Sequence, residues 1–316
     1  MVIGFQGRDG LRLQRNVGIR PIEAVVRAAA PGAPPVRPNP AGTRAFHAAR
    51  RAAATMSVMV RLVVCVIVGL ATLVSRADSP GPLRVGMELS YPPFEMTDRE
   101  GRPSGVSVRL AEALGRHLGR PVVIENIAFD GLIPALKTGK IDCIISSMTA
   151  TPERARSIAF SAPYLRTGLA LLVAKKSPVV SAADLDAAGR VVAVKKGTTG
   201  HQWAVTNLKR ARLLVLDKEA AAVLEVEQGK ADAFIYDALS VYRHHARHPG
   251  TTRAVLQPFR EETWAVGLRP DDAALKRHID VFLESFRADG GFERLGDEFL
   301  ADEKAAFEAQ GIPFVF

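Results

Sequence analysis

At 316 residues the chain is long enough for two domains. Its net charge of +9 resides in the first 77 residues, which hold eleven Arg, no Lys and two acids (Asp9 and Glu23), while the remainder carries basic and acidic side chains in equal number. The basic balance therefore gives no support to nucleic-acid binding by the folded part.

Residues 1–55 are rich in Arg, Ala and Pro and show no apolar period. They read as a targeting arm, a disordered leader or, preferably, an upstream extension of a frame whose translation begins at Met56. Residues 62–74 (LVVCVIVGLATLV) form an uncharged run after Arg61, and Ser75-Arg76-Ala77 ends in a small-x-small pattern. That is the layout of a secretory signal peptide over 56–77, cleaved after Ala77, so the mature chain is expected to begin at Asp78. A retained membrane anchor is the rival, but a span takes about 20 apolar residues. Cys65 lies too early for a lipoprotein cysteine. With it removed, Cys143 alone remains and no internal disulfide can form. Cys143 sits in an apolar run and reads as a small buried hydrophobe.

In the mature chain, 83–88 (LRVGME) reads as a strand that ends in a loop fixed by Pro92 and Pro93. Residues 95–104 look like a polar hairpin. Val106, Leu110, Leu114 and Leu118 recur at helical spacing, and Gly119-Arg120-Pro121 ends that helix. A strand follows at 122–127, then a short helix capped by Asp130 and closed by Gly139. Residues 141–145 read as a strand buried on both faces. Thr151 and Pro152 open a helix as N-cap and first residue. Residues 169–174 form an apolar strand leaving this first series. A second series has strands at 190–196, 213–216 and 231–236, with helices at 181–188, 201–208 and 220–228. Strands at 251–257 and 263–268 follow. A long amphipathic helix then begins at Asp271-Asp272 and carries Leu275, Ile279, Phe282, Leu283 and Phe286 on one face. Gly290-Gly291 interrupts it before a last helix at 292–300.

Two β-α series point to an α/β protein with parallel sheets. The strands at 169–174 and 263–268 are candidates for a double crossover. They would make lobe one 78–170 plus 265–316 and lobe two 171–264.

Three polar groups recur at strand-to-helix junctions, where ligands of open α/β sheets lie. Ser146, Ser147, Thr149 and Arg154 form one, and an Arg fork beside hydroxyls makes a socket for a carboxylate. Thr198 and Thr199, in Gly197-Thr-Thr-Gly200, open a helix whose free N–H groups favour an anion. Asp237, at the end of a strand, can hold an ammonium. A carboxylate socket with an ammonium holder describes an α-amino acid. Each signal alone has a plainer reading: a turn, a cap or a solvated Arg.

The motifs Glu88-Leu-Ser-Tyr-Pro-Pro-Phe94, Phe129-Asp-Gly-Leu-Ile-Pro134, Ile144-Ile-Ser-Ser-Met-Thr149, Arg154 and Phe160-Ser161 together resemble the periplasmic polar amino-acid-binding proteins of ABC importers. That family is solute-binding family 3, with the two-lobed type II periplasmic fold: two α/β sheets joined by a double-strand hinge, with a cleft between lobes. The resemblance spans nearly all of 83–300. It implies that Tyr91 and Phe129 sandwich the ligand side chain and that Ser147, Thr149, Arg154 and Thr199 bind its carboxylate. It also implies that Asp237 and the Ser147 carbonyl hold its amine, and that Glu88 reaches its side chain. The family's Gly-aromatic-Asp-x-Asp signature is here Gly105-Val106-Ser107-Val108-Arg109. The two missing carboxylates are expected to alter a surface away from the cleft. Core packing is the competing role for Tyr91 and Phe129. His244, His245 and His248 are read as a solvated helix end rather than a zinc site.

The expected function is capture of an L-amino acid, polar or basic, for an ABC permease of the inner membrane. The protein is expected to be a periplasmic monomer, with no cofactor, metal or nucleic acid. The enzyme alternative is a dehydratase of cyclohexadienyl precursors such as arogenate, on the same fold, with Glu88 as the candidate general acid. A sensor ectodomain is a third class, disfavoured because no membrane span or signalling domain follows.

Overall fold

The computed structural model describes residues 81–309 and 311. The signal segment and leader expected at 1–77 lie outside them. Strand β1 (Leu83–Met87) pairs in parallel with β5 (Val122–Asn126) and with β6 (Cys143–Ile144). Between β1 and β5 the excursion at 90–104 forms a small sheet of β2 (Ser90–Tyr91), β3 (Glu95–Thr97) and β4 (Pro103–Ser104). Helix α1 (Val106–Leu118) buries Val106, Leu110 and Leu114, and ends at Gly119 with φ 63°, a left-handed cap that suits glycine. Gly105 has φ 114°, and a Cβ there would run into the Pro93 and Phe94 carbonyls.

A 3-10 turn (Phe129–Gly131) and helix α2 (Leu132–Lys137) follow β5. Asp130 does not cap them as expected. Its carboxylate lies 2.8 Å from Lys196 Nζ, and that charge outcompetes a local N–H. Thr151 does cap, as Arg154 N donates to its Oγ1 at 3.1 Å at the start of α3 (Pro152–Ala155).

The two longest strands, β7 (Ala159–Ala174) and β11 (Thr252–Leu268), run antiparallel to each other. The two strands expected at 251–257 and 263–268 are thus one strand. Its register shifts between Val255 and Arg260, a stretch that includes Pro258, which has no N–H to give the ladder. The second series supplies β8 (Val191–Lys195), α4 (Thr199–Asn207), β9 (Arg212–Leu216), α5 (Glu219–Glu227), β10 (Ala233–Asp237) and α6 (Ala238–Arg247). Helices α7 (Ala273–Ala288), α8 (Gly291–Phe299) and α9 (Ala301–Ala309) close the chain. Helix α9 was not anticipated.

Because both series share β7 and β11, the hydrogen-bonded ladder runs through eight strands in the order β5-β1-β6-β11-β7-β10-β8-β9. Strand directions fix the site. Strand β6 runs antiparallel to β11 near Gly267, which in turn faces Phe160 of β7, so β1 and β6 point along β7. Strands β10 and β8 run against β7, and β10 ends with Asp237 opposite Leu169. The carboxyl ends of the two sets therefore face each other across the middle of β7 and β11. Apolar cores flank this meeting point: Leu132, Leu136, Ile141 and Ile144 on one side, Leu171, Val192, Val194 and Ile235 on the other. Cys143 is fully buried in β6, and desolvation pushes its thiol up to about 12. No helix among the described residues is long and apolar enough to cross a membrane.

Candidate functional site

All ten residues singled out in the sequence line one cavity of about 40 Å³ where these strand ends meet. Glu88 follows β1; Tyr91 lies on β2; Phe129 opens the turn after β5; Ser146, Ser147 and Thr149 follow β6; and Arg154 lies on α3. Thr198 and Thr199 begin α4, and Asp237 ends β10.

Arg154 is buried and donates to the Thr149 carbonyl at 2.7 Å and to the Gly197 carbonyl at 2.9 Å. It thereby ties the α3 segment to the loop before α4. Its guanidinium lies 5.4 Å from the centroid of the Phe129 ring, within cation–π range. Burial lowers its pKa to about 10, which leaves it charged at neutral pH. Thr198 caps α4, accepting from His201 N at 3.3 Å while donating to the Lys195 carbonyl at 2.7 Å.

Asp237 serves two elements. Its Oδ1 accepts from Ser240 N at 3.0 Å as the N-cap of α6, and its Oδ2 accepts from the Tyr91 hydroxyl at 2.6 Å. Burial pushes the carboxyl up to about 6 against these two bonds. Tyr91 is thus both an aromatic wall, stacked on Phe94 at 5.4 Å, and a donor to the acid across the cavity.

Beside Leu169 and Gly200, five polar or aromatic lining residues were not foreseen: Glu95, Lys195, Tyr236, Glu262 and Trp264. Lys195, only 2 % exposed, forms an ion pair with Glu88 and lies 5.4 Å from the Phe129 ring centroid. Glu88 was expected to await a ligand side chain, but it has an internal cation as partner. Glu95 collects three hydroxyls: Ser107 at 2.6 Å, Ser147 at 3.1 Å and Ser146 at 3.4 Å. The Ser146 and Ser147 hydroxyls, read in the sequence as part of a ligand socket, are therefore engaged by a protein carboxyl. Ser107 stands at the first of the two positions where the resemblance's carboxylates are missing. It was placed away from the cleft, yet it is buried and bonds a residue that lines the cavity. Desolvation outweighs those hydroxyls and pushes Glu95 up to about 8.

Glu262, on β11, accepts from Thr149 Oγ1 at 2.9 Å and from Thr199 Oγ1 at 2.8 Å, both at Oε2. Burial raises its pKa. Strand alternation carries a signal for this acid: Glu262, Trp264, Val266 and Leu268 share one face of β11, and all are buried. Lys195 ends β8 as Asp237 ends β10, so the strand-end rule that found the one applies to the other. The histidines read as a solvated helix end have carboxylate partners: His244 lies 2.7 Å from Glu219 and His248 3.2 Å from Glu227. No group of three or more His, Cys, Asp or Glu among the described residues could hold a metal ion.

The cavity thus gathers the Arg154 guanidinium, the Thr149 and Thr199 hydroxyls held by Glu262, the Asp237 carboxyl and the rings of Tyr91, Phe129, Tyr236 and Trp264. A sequence model of the bacterial extracellular solute-binding proteins, family 3, matches residues 83–302. ABC transporter arginine-binding protein 1 of Escherichia coli K12 is 28% identical over 235 residues, covering 73% of this chain and 96% of that protein. Cyclohexadienyl dehydratase of Pseudomonas aeruginosa is 31% identical over 206 residues, covering 64% of this chain and 76% of the enzyme. The crystal structure of an ancestral amino acid-binding protein, a precursor of cyclohexadienyl dehydratase, superposes with a TM-score of 0.64 at 35% identity. It covers 69% of this chain and 95% of its own.

Proposed function

The chain belongs to family 3 of the bacterial extracellular solute-binding proteins, and from that premise we propose that it captures an L-amino acid, polar or basic, in the periplasm and delivers it to an ABC permease. The observation that carries this reading is the placement of Arg154 and Asp237 on one cavity, from strand sets that run in opposite directions. A ligand α-carboxylate would take Arg154, Thr149 and Thr199. Its ammonium would take Asp237 and the Ser147 carbonyl, with the side chain between Tyr91 and Phe129. Residues 78–170 plus 265–316 would form one lobe and 171–264 the other, with β7 and β11 as the connection. Only a closed cleft satisfies both ligand charges, so the ligand shifts the hinge equilibrium towards closure. Calorimetry of the protein against the twenty L-amino acids tests the reading. Micromolar or tighter binding of one class is expected; no heat with any of them would overturn it.

One observation favours a second reading, a dehydratase acting on a cyclohexadienyl amino-acid precursor. Glu95 lines the cavity with its carboxyl pushed up to about 8, so it is protonated at neutral pH. A general acid that delivers a proton to a leaving hydroxyl requires that state. Glu88, the acid named from sequence, is less suited because it is paired with Lys195. Turnover of arogenate or prephenate, lost in Glu95→Gln, would establish this reading; no turnover would dismiss it.

A further inference from the structure

We propose that Glu262 is a built-in competitor for the ligand's α-carboxylate and so sets how much affinity that carboxylate contributes. This rests on the amino-acid reading of the site given above. The two hydroxyls assigned to the ligand carboxylate, Thr149 and Thr199, both donate to Glu262 Oε2. Each hydroxyl has a single proton, so neither can serve two carboxylates at once. A bound carboxylate must therefore displace Glu262 or forgo both hydroxyls.

The geometry marks Glu262 as displaceable. It is 7 % exposed, and its second oxygen, Oε1, is buried with no hydrogen-bond partner. A buried carboxylate bonded through one oxygen only is poorly compensated for its lost hydration. Arg260, on the same strand, lies 3.7 Å from Oε1 through its Nε, too far for a hydrogen bond but close enough to receive the carboxylate after a rotation. Arg154 offers Glu262 no hydrogen bond in this arrangement, since the guanidinium bonds shown go to the Thr149 and Gly197 carbonyls. The protein's own carboxylate thus holds the hydroxyls, while the guanidinium stays aimed at the backbone.

The test is calorimetry on the full chain, its Glu262→Gln and Glu262→Ala variants, and a Glu261→Gln control that removes a charge from the exposed neighbour. The probes are the twenty L-amino acids and the α-carboxamide of whichever binds tightest. Glu262→Ala should bind that amino acid at least about tenfold tighter than the parent, and Glu262→Gln, whose amide oxygen still accepts from the two hydroxyls, should gain less. The carboxamide should gain much less, and Glu261→Gln should match the parent. If the parent binds an amino acid but neither Glu262 variant gains, the competition does not exist and the amino-acid reading stands. An equal gain for the carboxamide would also overturn the proposal. Absence of binding to all four proteins would overturn the amino-acid reading and this inference with it. Melting curves accompany the titrations: loss of a poorly compensated buried charge should not lower the melting temperature, so weakened binding cannot be ascribed to unfolding.

Discussion

Asp237→Asn removes a charge from the cavity and leaves its outline almost unchanged. In the parent, Asp237 accepts from Ser240 N at 3.0 Å and from the Tyr91 hydroxyl at 2.6 Å. Asparagine keeps an oxygen for the Ser240 N–H and is an equally good N-cap, so α6 should stand. The Tyr91 hydroxyl then turns to accept from the new amide. What is lost is the charge partner of a ligand ammonium. Breaking a buried charge pair costs about 2–5 kcal/mol. Burial pushes the carboxyl up to about 6, a penalty on its charged form that an ammonium would relieve. A loss of about 3 kcal/mol corresponds to somewhat more than a hundredfold in Kd. The assay is calorimetry with the tightest-binding amino acid well above pH 6, where Asp237 is ionised, alongside thermal melts. A loss below about tenfold with an unchanged melt would refute the assignment of Asp237 to the ammonium.

The same group sets a pH dependence of binding. Below about pH 6 Asp237 is protonated and must release its proton to hold an ammonium. Affinity should therefore fall by up to about tenfold per unit as pH drops below that value; a flat profile down to pH 4.5 would contradict this. Lys195→Met removes the partner of Glu88 while keeping side-chain length. The preference for L-arginine or L-lysine over L-glutamine should then rise at least about tenfold, because a cationic side chain re-pairs Glu88; an unchanged ratio would show that Glu88 does not face the ligand side chain. Glu95 concerns stability. Its folded-state value of about 8 stands above the ordinary 4.5, so the folded protein binds the extra proton between them. Its contribution is full below pH 4.5 and is lost as pH rises to about 8. Glu95→Gln should flatten the melting temperature between pH 5 and pH 8, and a parent-like slope would show that another group titrates there.

The β-α order, the caps at Thr151, Thr198 and Asp272, and the polar groups at strand-to-helix junctions were legible because local signals encode them, whereas Glu88, Tyr91 and Phe129 were legible only through the family resemblance. Thr151 caps its helix through a bond to Arg154 N three residues on, with Pro152 at the first helical position, so the start needs no distant partner. A strand that stops at Asp237 presents that carboxylate at its carboxyl end whatever lies opposite. The partners of those residues were not legible. Glu88 with Lys195, Ser146 and Ser147 with Glu95, and Thr149 and Thr199 with Glu262 are pairings between distant segments, fixed only when the strand sets face each other. For the same reason Asp130, a cap by its sequence, is an ion-pair partner of Lys196. The strand expected at 141–145 is shorter than its apolar run because the chain leaves the sheet early, with Ser147 at φ 48°. The single strand β11 was hidden by Pro258, whose local reading is a break.

The central claim is that Asp237 and Arg154 read the two charges of an α-amino acid. The most direct test is a binding cycle: parent and Asp237→Asn, each titrated with the tightest-binding amino acid and with its des-amino analogue, whose α-ammonium is replaced by hydrogen. If the ammonium sits on Asp237, either change alone weakens binding about a hundredfold and the two together cost little more than one. Fully additive losses would place the ammonium elsewhere and contradict the account.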